Sequence, residues 1–200
     1  GDITISGVIA TTSGTITKGT ASSTSDPGTL TLSGDNTYTG LTTINYGTLK
    51  LGAAGGGTNT PLGTTGAGTS VTSGAVLDLN GFTLGTAEAL TLNGTGISSG
   101  GALTNSSASS ATYSGLITLA SASSIVSSSG DIVISNTGTI TGATFGLTLG
   151  GTATGSSIAS IIGTTSGTVT KIGSGTWTLS GASTYTGLTT ISVGTLKLGA

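Results

Sequence analysis

Residues 28–53 read GTLTLSGDNTYTGLTTINYGTLKLGA and residues 175–200 read GTWTLSGASTYTGLTTISVGTLKLGA, identical at 21 of 26 positions. A fold that accepts one segment twice, far apart in the chain, must offer the same local environment twice, which is the property of architectures that grow by repetition. The duplication also reaches upstream: TTSGT at Thr11–Thr15 recurs at Thr164–Thr168, an offset of 153, against 147 between Tyr38 and Tyr185. Five of those six residues fall in one loop, TASSTSDPG over Thr20–Gly28, which shortens to IGSG over Ile172–Gly175. A solenoid tolerates this because a coil can extrude a loop without disturbing its neighbours. The expected organisation is one continuous solenoid segment over 1–200, an excerpt of a longer repetitive chain. Its module repeats after roughly 150 residues, with 11–53 matching 164–200.

Within the module the recurring unit is apolar–polar–apolar followed by Gly or a small polar residue. Examples are LTLSG at Leu30–Gly34, LKLG at Leu49–Gly52, LDLNG at Leu77–Gly81 and LTLNG at Leu90–Gly94. It returns as IVISN at Ile132–Asn136, LTLGG at Leu147–Gly151, WTLSG at Trp177–Gly181 and LKLG at Leu196–Gly199. A two-residue period buries one face and wets the other, so each unit reads as a short strand ended by a turn. The best helical candidate, GTAEAL at Gly85–Leu90, is too short to stand alone.

Many short strands with Gly turns fit a sandwich, a barrel or a solenoid. Aromatic residues are only 4%, whereas the inward set is Leu, Ile, Val and Ala, which suits a narrow stack with coils about 4.8 Å apart. The fold class expected is all-β, a right-handed parallel β-helix. At roughly 20–25 residues per coil it would have about eight to ten coils and be about 40 Å long.

Charged residues make up 5% of the chain, far below the roughly 25% usual for globular domains. Disorder is still not the reading, because mean hydropathy is positive at +0.37 and the net charge is only −2, opposite to the disordered signature. That charge balance also disfavours nucleic acid and anionic lipid as partners. With no Cys there is neither a disulfide framework nor a thiolate metal site. The opening GDITISG is not a secretion signal, and no apolar run approaches the roughly 18 residues of a membrane helix.

At Gly28–Gly52 and Gly175–Gly199 the sequence resembles the autotransporter-associated β-strand repeat, whose form is GTLxLSGxNTYTG followed by TxIxxGTL. Both copies match nearly every such position, with Ser183 standing where the first copy has Asn36. The resemblance covers about a quarter of the chain. It implies a β-solenoid exported to the bacterial cell surface or beyond, and it carries no catalytic residues to transfer. The function implied is a structural module of a very long surface or secreted fibre: stalk, adhesin or matrix element. Its expected partners are neighbouring repeats of the same chain. The alternatives are end-to-end stacking of identical chains into a filament, recognition of a cell-surface or glycan ligand, ice binding and a carbohydrate-active β-helix enzyme.

Catalysis on sugar chains needs paired carboxylates, or a cation cluster with a basic group. The acids are Asp2, Asp26, Asp35, Asp78, Glu88 and Asp131, isolated from one another in sequence; the bases are Lys18, Lys50, Lys171 and Lys197. There is no His or Arg. A solvated strand surface is the reading for each of these ten, so no catalytic, cofactor or metal site is expected. The glycines of GAAGGG, Gly52–Gly57, lack the Lys-Ser/Thr ending of a phosphate loop.

Thr-x-Thr triplets at Thr15–Thr17, Thr29–Thr31, Thr37–Thr39, Thr139–Thr141, Thr168–Thr170 and Thr184–Thr186 read as exposed strand threonines, unevenly spaced for an ice-binding face. Among the aromatics, Trp177 replaces core Leu30, and Tyr38 and Tyr185 pack over a turn beside Asn36 or Ser183. NGT at Asn93–Thr95 and NSS at Asn105–Ser107 match glycosylation sequons, which mean little in a bacterial protein.

Overall fold

The computed structural model describes residues 1–19 and 27–199. Most of the variable loop over Thr20–Gly28 therefore lies outside the described residues, as does Asp26. Twenty short strands, numbered along the chain, wind into a β-solenoid of about eight turns. Every strand–strand pairing is parallel. The described residues hold no α-helix, only a single 3-10 turn at Ile97–Ser99.

The strands form three faces. The first carries β1 (Ile3–Ile5), β3 (Thr29–Leu32), β5 (Gly47–Leu51), β7 (Ala75–Asp78) and β9 (Leu103–Thr104), then the second half of β11 (Ile117–Ser127), β14 (Leu147–Gly151), β17 (Val169–Lys171) and β19 (Thr189–Ile191). The second carries β2 (Ile16–Lys18), β4 (Thr42–Ile44), β6 (Thr69–Val71), β8 (Leu90–Gly94) and the first half of β11. A bridge from Thr118 to Thr141 extends it towards β13 (Thr139–Ile140), which pairs with β16 (Ile161–Ile162). The third face is β10 (Ala111–Tyr113), β12 (Ile132–Ile134), β15 (Ser156–Ile158), β18 (Thr176–Leu179) and β20 (Thr195–Leu198).

Register makes the interior a set of columns. On the first face Ile3, Leu30, Leu49, Leu77 and Leu103 stand in line, followed by Ile125, Leu149, Lys171 and Ile191. Leu49, Leu77, Leu103, Ile125 and Leu149 are fully buried. Each such side chain contributes about 1.5–3 kcal/mol relative to exposure, and every coil except the outermost is covered on both sides. The outermost coils are not: Leu198 is 86% exposed and Leu188 72%, with Ile3 at 62%.

The two copies of the repeat fold alike. Thr29 pairs with Thr48 and Thr176 with Thr195; Lys18 pairs with Ile44 and Lys171 with Ile191. They do not occupy the same face. β2 and β4 stand on the second face and their equivalents β17 and β19 on the first; β3 and β5 stand on the first, β18 and β20 on the third. The module therefore runs six coils and one further face, so the repeat returns turned about the axis.

Trp177 fills the column where the first copy has Leu30, as expected. Its neighbour in the preceding coil is the small Ser156, and its indole nitrogen donates to the Gly150 carbonyl at 2.9 Å. Three charged residues overturn the expectation of a solvated surface. Asp78 is 4% exposed, and Glu88 and Lys171 are fully buried. Lys171 is buried because its strand position points into a column of aliphatic side chains, and Asp78 because its carboxylate is enclosed by bonds to the neighbouring coil.

Candidate functional site

The acids are spread along the axis, and four of them share one task. Asp2 Oδ1 accepts from the Thr29 amide at 2.7 Å, Asp35 Oδ1 from Gly56 at 3.1 Å, Asp78 Oδ1 from Ser106 at 3.0 Å and Asp131 Oδ1 from Gly155 at 2.6 Å. Each amide lies one coil further along the chain. These aspartates thus join successive coils through charge-assisted hydrogen bonds. Asp78 also takes the Ser106 hydroxyl at 2.5 Å and the Asn80 amide at 2.9 Å, with Lys50 Nζ at 3.7 Å.

The lysines follow the repeat. Lys18 Nζ donates to the Tyr46 carbonyl at 3.2 Å, and Lys171 Nζ to the repeat-equivalent Val193 carbonyl at 3.3 Å. Lys171 also donates to the carbonyls of Ile172 at 2.5 Å and Gly173 at 2.6 Å. Burial holds its amine below the usual lysine range. These ammonium groups close corners of the coil, a role that neither their spacing nor their charge announces.

The most chemically distinctive spot is inside the stack. Glu88 Oε1 accepts from the Thr69 hydroxyl at 3.3 Å, whereas Oε2 is buried without a hydrogen-bond partner. Tyr113 donates its hydroxyl to the Glu88 carbonyl at 2.8 Å, and the Tyr38 hydroxyl meets Thr42 Oγ1 at 2.6 Å. Desolvation pushes the Glu88 carboxyl up to about 7, and the Tyr38 hydroxyl to about 12. Tyr113 is raised well above its usual value, again chiefly by burial. A carboxyl near 7 has the proton affinity of a general acid, but Glu88 is sealed from solvent and has no second carboxylate among its bonding partners. It can hold a proton; it cannot present one to a substrate.

The motif's own tyrosine and asparagine act as spacers between coils. Asn36 Oδ1 accepts from the Ile9 amide at 2.7 Å and its Nδ2 donates to the Pro61 carbonyl at 2.7 Å, reaching coils on both sides. In the second copy Ser183 keeps one of these links, accepting from the equivalent Ile162 amide at 3.2 Å. The Tyr38–Thr42 contact recurs as Tyr185–Thr189 at 2.8 Å.

The threonines align better than their spacing in sequence indicates. Thr17, Thr43, Ser70, Thr91 and Thr118 stand in register on the second face, and Thr118 meets Thr141 across 3.2 Å. This is one hydroxyl column, flanked by Leu41, Gly68, Ala89 and Leu116, whose carbonyls take the adjacent ladder bonds. It lacks the second, parallel column of a Thr-x-Thr array.

Among the described residues no three side chains of metal-ligand type gather, and no helix is long and apolar enough to cross a membrane. An open hollow of about 360 Å³ lies at the first coil, lined by Gly1, Ile3, Ile5, Lys18 and Leu30. Its lining is the uncovered edge of the stack.

A parallel solenoid whose charged groups join coils, with a duplicated Tyr–Thr motif, defines a repeat-built β-helix. The comparisons agree: the passenger-associated-transport-repeat family model matches residues 25–51 and 169–198, the two duplicated segments. That repeat implies an autotransporter passenger β-helix, at the cell surface or secreted. No curated protein and no solved structure matches the chain.

Proposed function

We propose that this segment is a non-catalytic rod within a passenger region, a stalk that carries other parts of a surface or secreted protein away from the cell. The observation that carries this reading is the first-face column, in register from Ile3 to Ile191. Ladder bonds parallel to the axis, reinforced by aspartates that bind the next coil's amides, resist extension as a set rather than singly. Few charged side chains are left free for substrate chemistry.

Small-angle scattering tests the reading. A rod is expected, with a cross-section unchanged when a further module is added and a length that grows by about 4.8 Å per coil. A globular profile, or release of reducing sugars from polysaccharides by the purified chain, would remove it.

A further inference from the structure

The chain contains two Asn-Gly pairs, Asn80–Gly81 and Asn93–Gly94. In such a pair the glycine amide nitrogen can attack the asparagine side-chain carbonyl carbon, because the following residue has no Cβ to stand in the way. Whether it does so depends on where the proton of that amide can go. The fold gives the two pairs opposite answers.

At Asn80–Gly81 both reacting groups are tied to acceptors. The Gly81 amide donates to Asn105 Oδ1 at 2.8 Å, and Asn80 Nδ2 donates to the Leu51 carbonyl at 2.9 Å. A carbonyl oxygen has no hydrogen to hand on. At Asn93–Gly94 the partner is a hydroxyl instead. Leu92 pairs with Leu119 and Gly94 with Ser123, so β11 takes four residue steps against two in β8, and its bend places Ser121 at the end of β8. The Gly94 amide donates to Ser121 Oγ at 2.9 Å, and Ser121 Oγ in turn donates to Asn93 Oδ1. The Ala122 carbonyl, at 3.3 Å, is the other acceptor in reach of that hydroxyl. Asn93, Gly94 and Ser121 are all half-buried, so water reaches them.

We propose that Asn93 is a self-modification site, cyclising onto Gly94 with Ser121 as the proton relay. The Gly94 nitrogen bonds to Asn93 Cγ while its proton passes to Ser121 Oγ and the Ser121 proton passes to Asn93 Oδ1. That proton then returns through Ser121 to Nδ2, the Cγ–Nδ2 bond breaks and ammonia leaves. Ser121 is regenerated, and nothing is oxidised or reduced. The product is a cyclic imide, which water opens at either carbonyl to give aspartate or isoaspartate at position 93. Either adds a negative charge to a chain of net charge −2, and isoaspartate also lengthens the main chain of β8 by one carbon. A positioned proton-transfer group accelerates such a step by about 10²–10⁴-fold, which sets Asn93 well apart from Asn80.

The test incubates the folded 1–200 chain in neutral buffer and follows imide and isoaspartate at both pairs by peptide mass spectrometry. In urea, where the fold is absent, the two pairs are expected to convert at similar rates. In the folded chain Asn93 is expected to convert at least about tenfold faster than Asn80, with Ser121→Thr keeping that advantage and Ser121→Ala losing most of it. Asn80 is the internal control, since slow conversion there reports that a variant is still folded. Heavy water gives a second measurement that needs no variant: because the relay moves two protons together, it is expected to slow Asn93 more in the folded chain than in urea. Equal rates at the two pairs in the folded chain would overturn the proposal. So would an undiminished rate at Asn93 in folded Ser121→Ala, or a heavy-water effect no larger with the fold than without it.

Discussion

Glu88 shows what one ionisable group does when the stack encloses it. In the unfolded chain its carboxyl titrates near 4.5, and in the fold desolvation raises that to about 7. The folded state therefore binds the proton more tightly. Stability contributed by this group is full below about 4.5, falls as pH rises through the interval up to about 7, and is level beyond it. The difference is about 3 kcal/mol. The ionisable side chains facing it are Tyr38 and Tyr113, which stay neutral throughout this range because burial raises both. Urea midpoints at pH 5 and pH 8 are expected to differ in the wild type, with the acid sample more stable, and to converge in Glu88→Gln. Wild-type midpoints that rise with pH would contradict this. The sequence could not have located this group. A lone Glu between two alanines in TAEAL has no period that turns it inward, and its burial depends on coils one turn away on either side.

At the level of strands and corners, the sequence was legible wherever glycine punctuates a two-residue alternation. Seven of the eight apolar–polar–apolar units fall wholly within strands, and the eighth, Leu77–Leu79, runs one residue past the end of β7. The longest strand was not announced because it lacks that punctuation. β11 runs eleven residues through ITLASASSIVS, turning from the second face to the first at a register shift between Leu119 and Ser123. Ala120 and Ala122 are small enough for a continuous bend, and Ser121 accepts from the Gly94 amide at 2.9 Å. Weak strand propensity for Ala and lack of a turn residue hide such a corner. At the motif's own corner the requirement is sharper. Gly47 and its equivalent Gly194 have φ of 74° and 78°. A Cβ on Gly47 would stand 2.6 Å from the Gly28 carbonyl oxygen and 2.7 Å from Lys18 Nζ. Gly47→Ala is therefore expected to cost at least about 1–3 kcal/mol. Gly57→Ala, which meets nothing within 4 Å, should stay within about 0.5 kcal/mol of wild type. Thermal or urea unfolding of the pair decides it, and equal losses would mean that the corner does not select glycine.

For the whole molecule, the module length and the coil length are incommensurate. From Leu30 the first-face column advances through Leu49, Leu77, Leu103, Ile125 and Leu149 to Lys171, and the equivalent of Leu30 is then met one face later, at Trp177. The same motif, with glycine at its corner, turns from second face to first in one copy and from first to third in the next. A chain of such modules would present any residue borne by the repeat in three directions in succession, so no side of the rod is special. The duplication is plain in the sequence, but the turn between copies is not, since it depends on the summed lengths of all the coils between them. Spin labels on Thr43→Cys, Thr118→Cys and Thr190→Cys test it in pairs. The first two lie outward on the second face and the third, equivalent to Thr43, lies outward on the first. If copies shared a face, the distances from Thr43 to Thr118 and from Thr118 to Thr190 would add up to the distance from Thr43 to Thr190. The rotated arrangement requires the sum to exceed it, because Thr190 stands off the line by about the width of the solenoid.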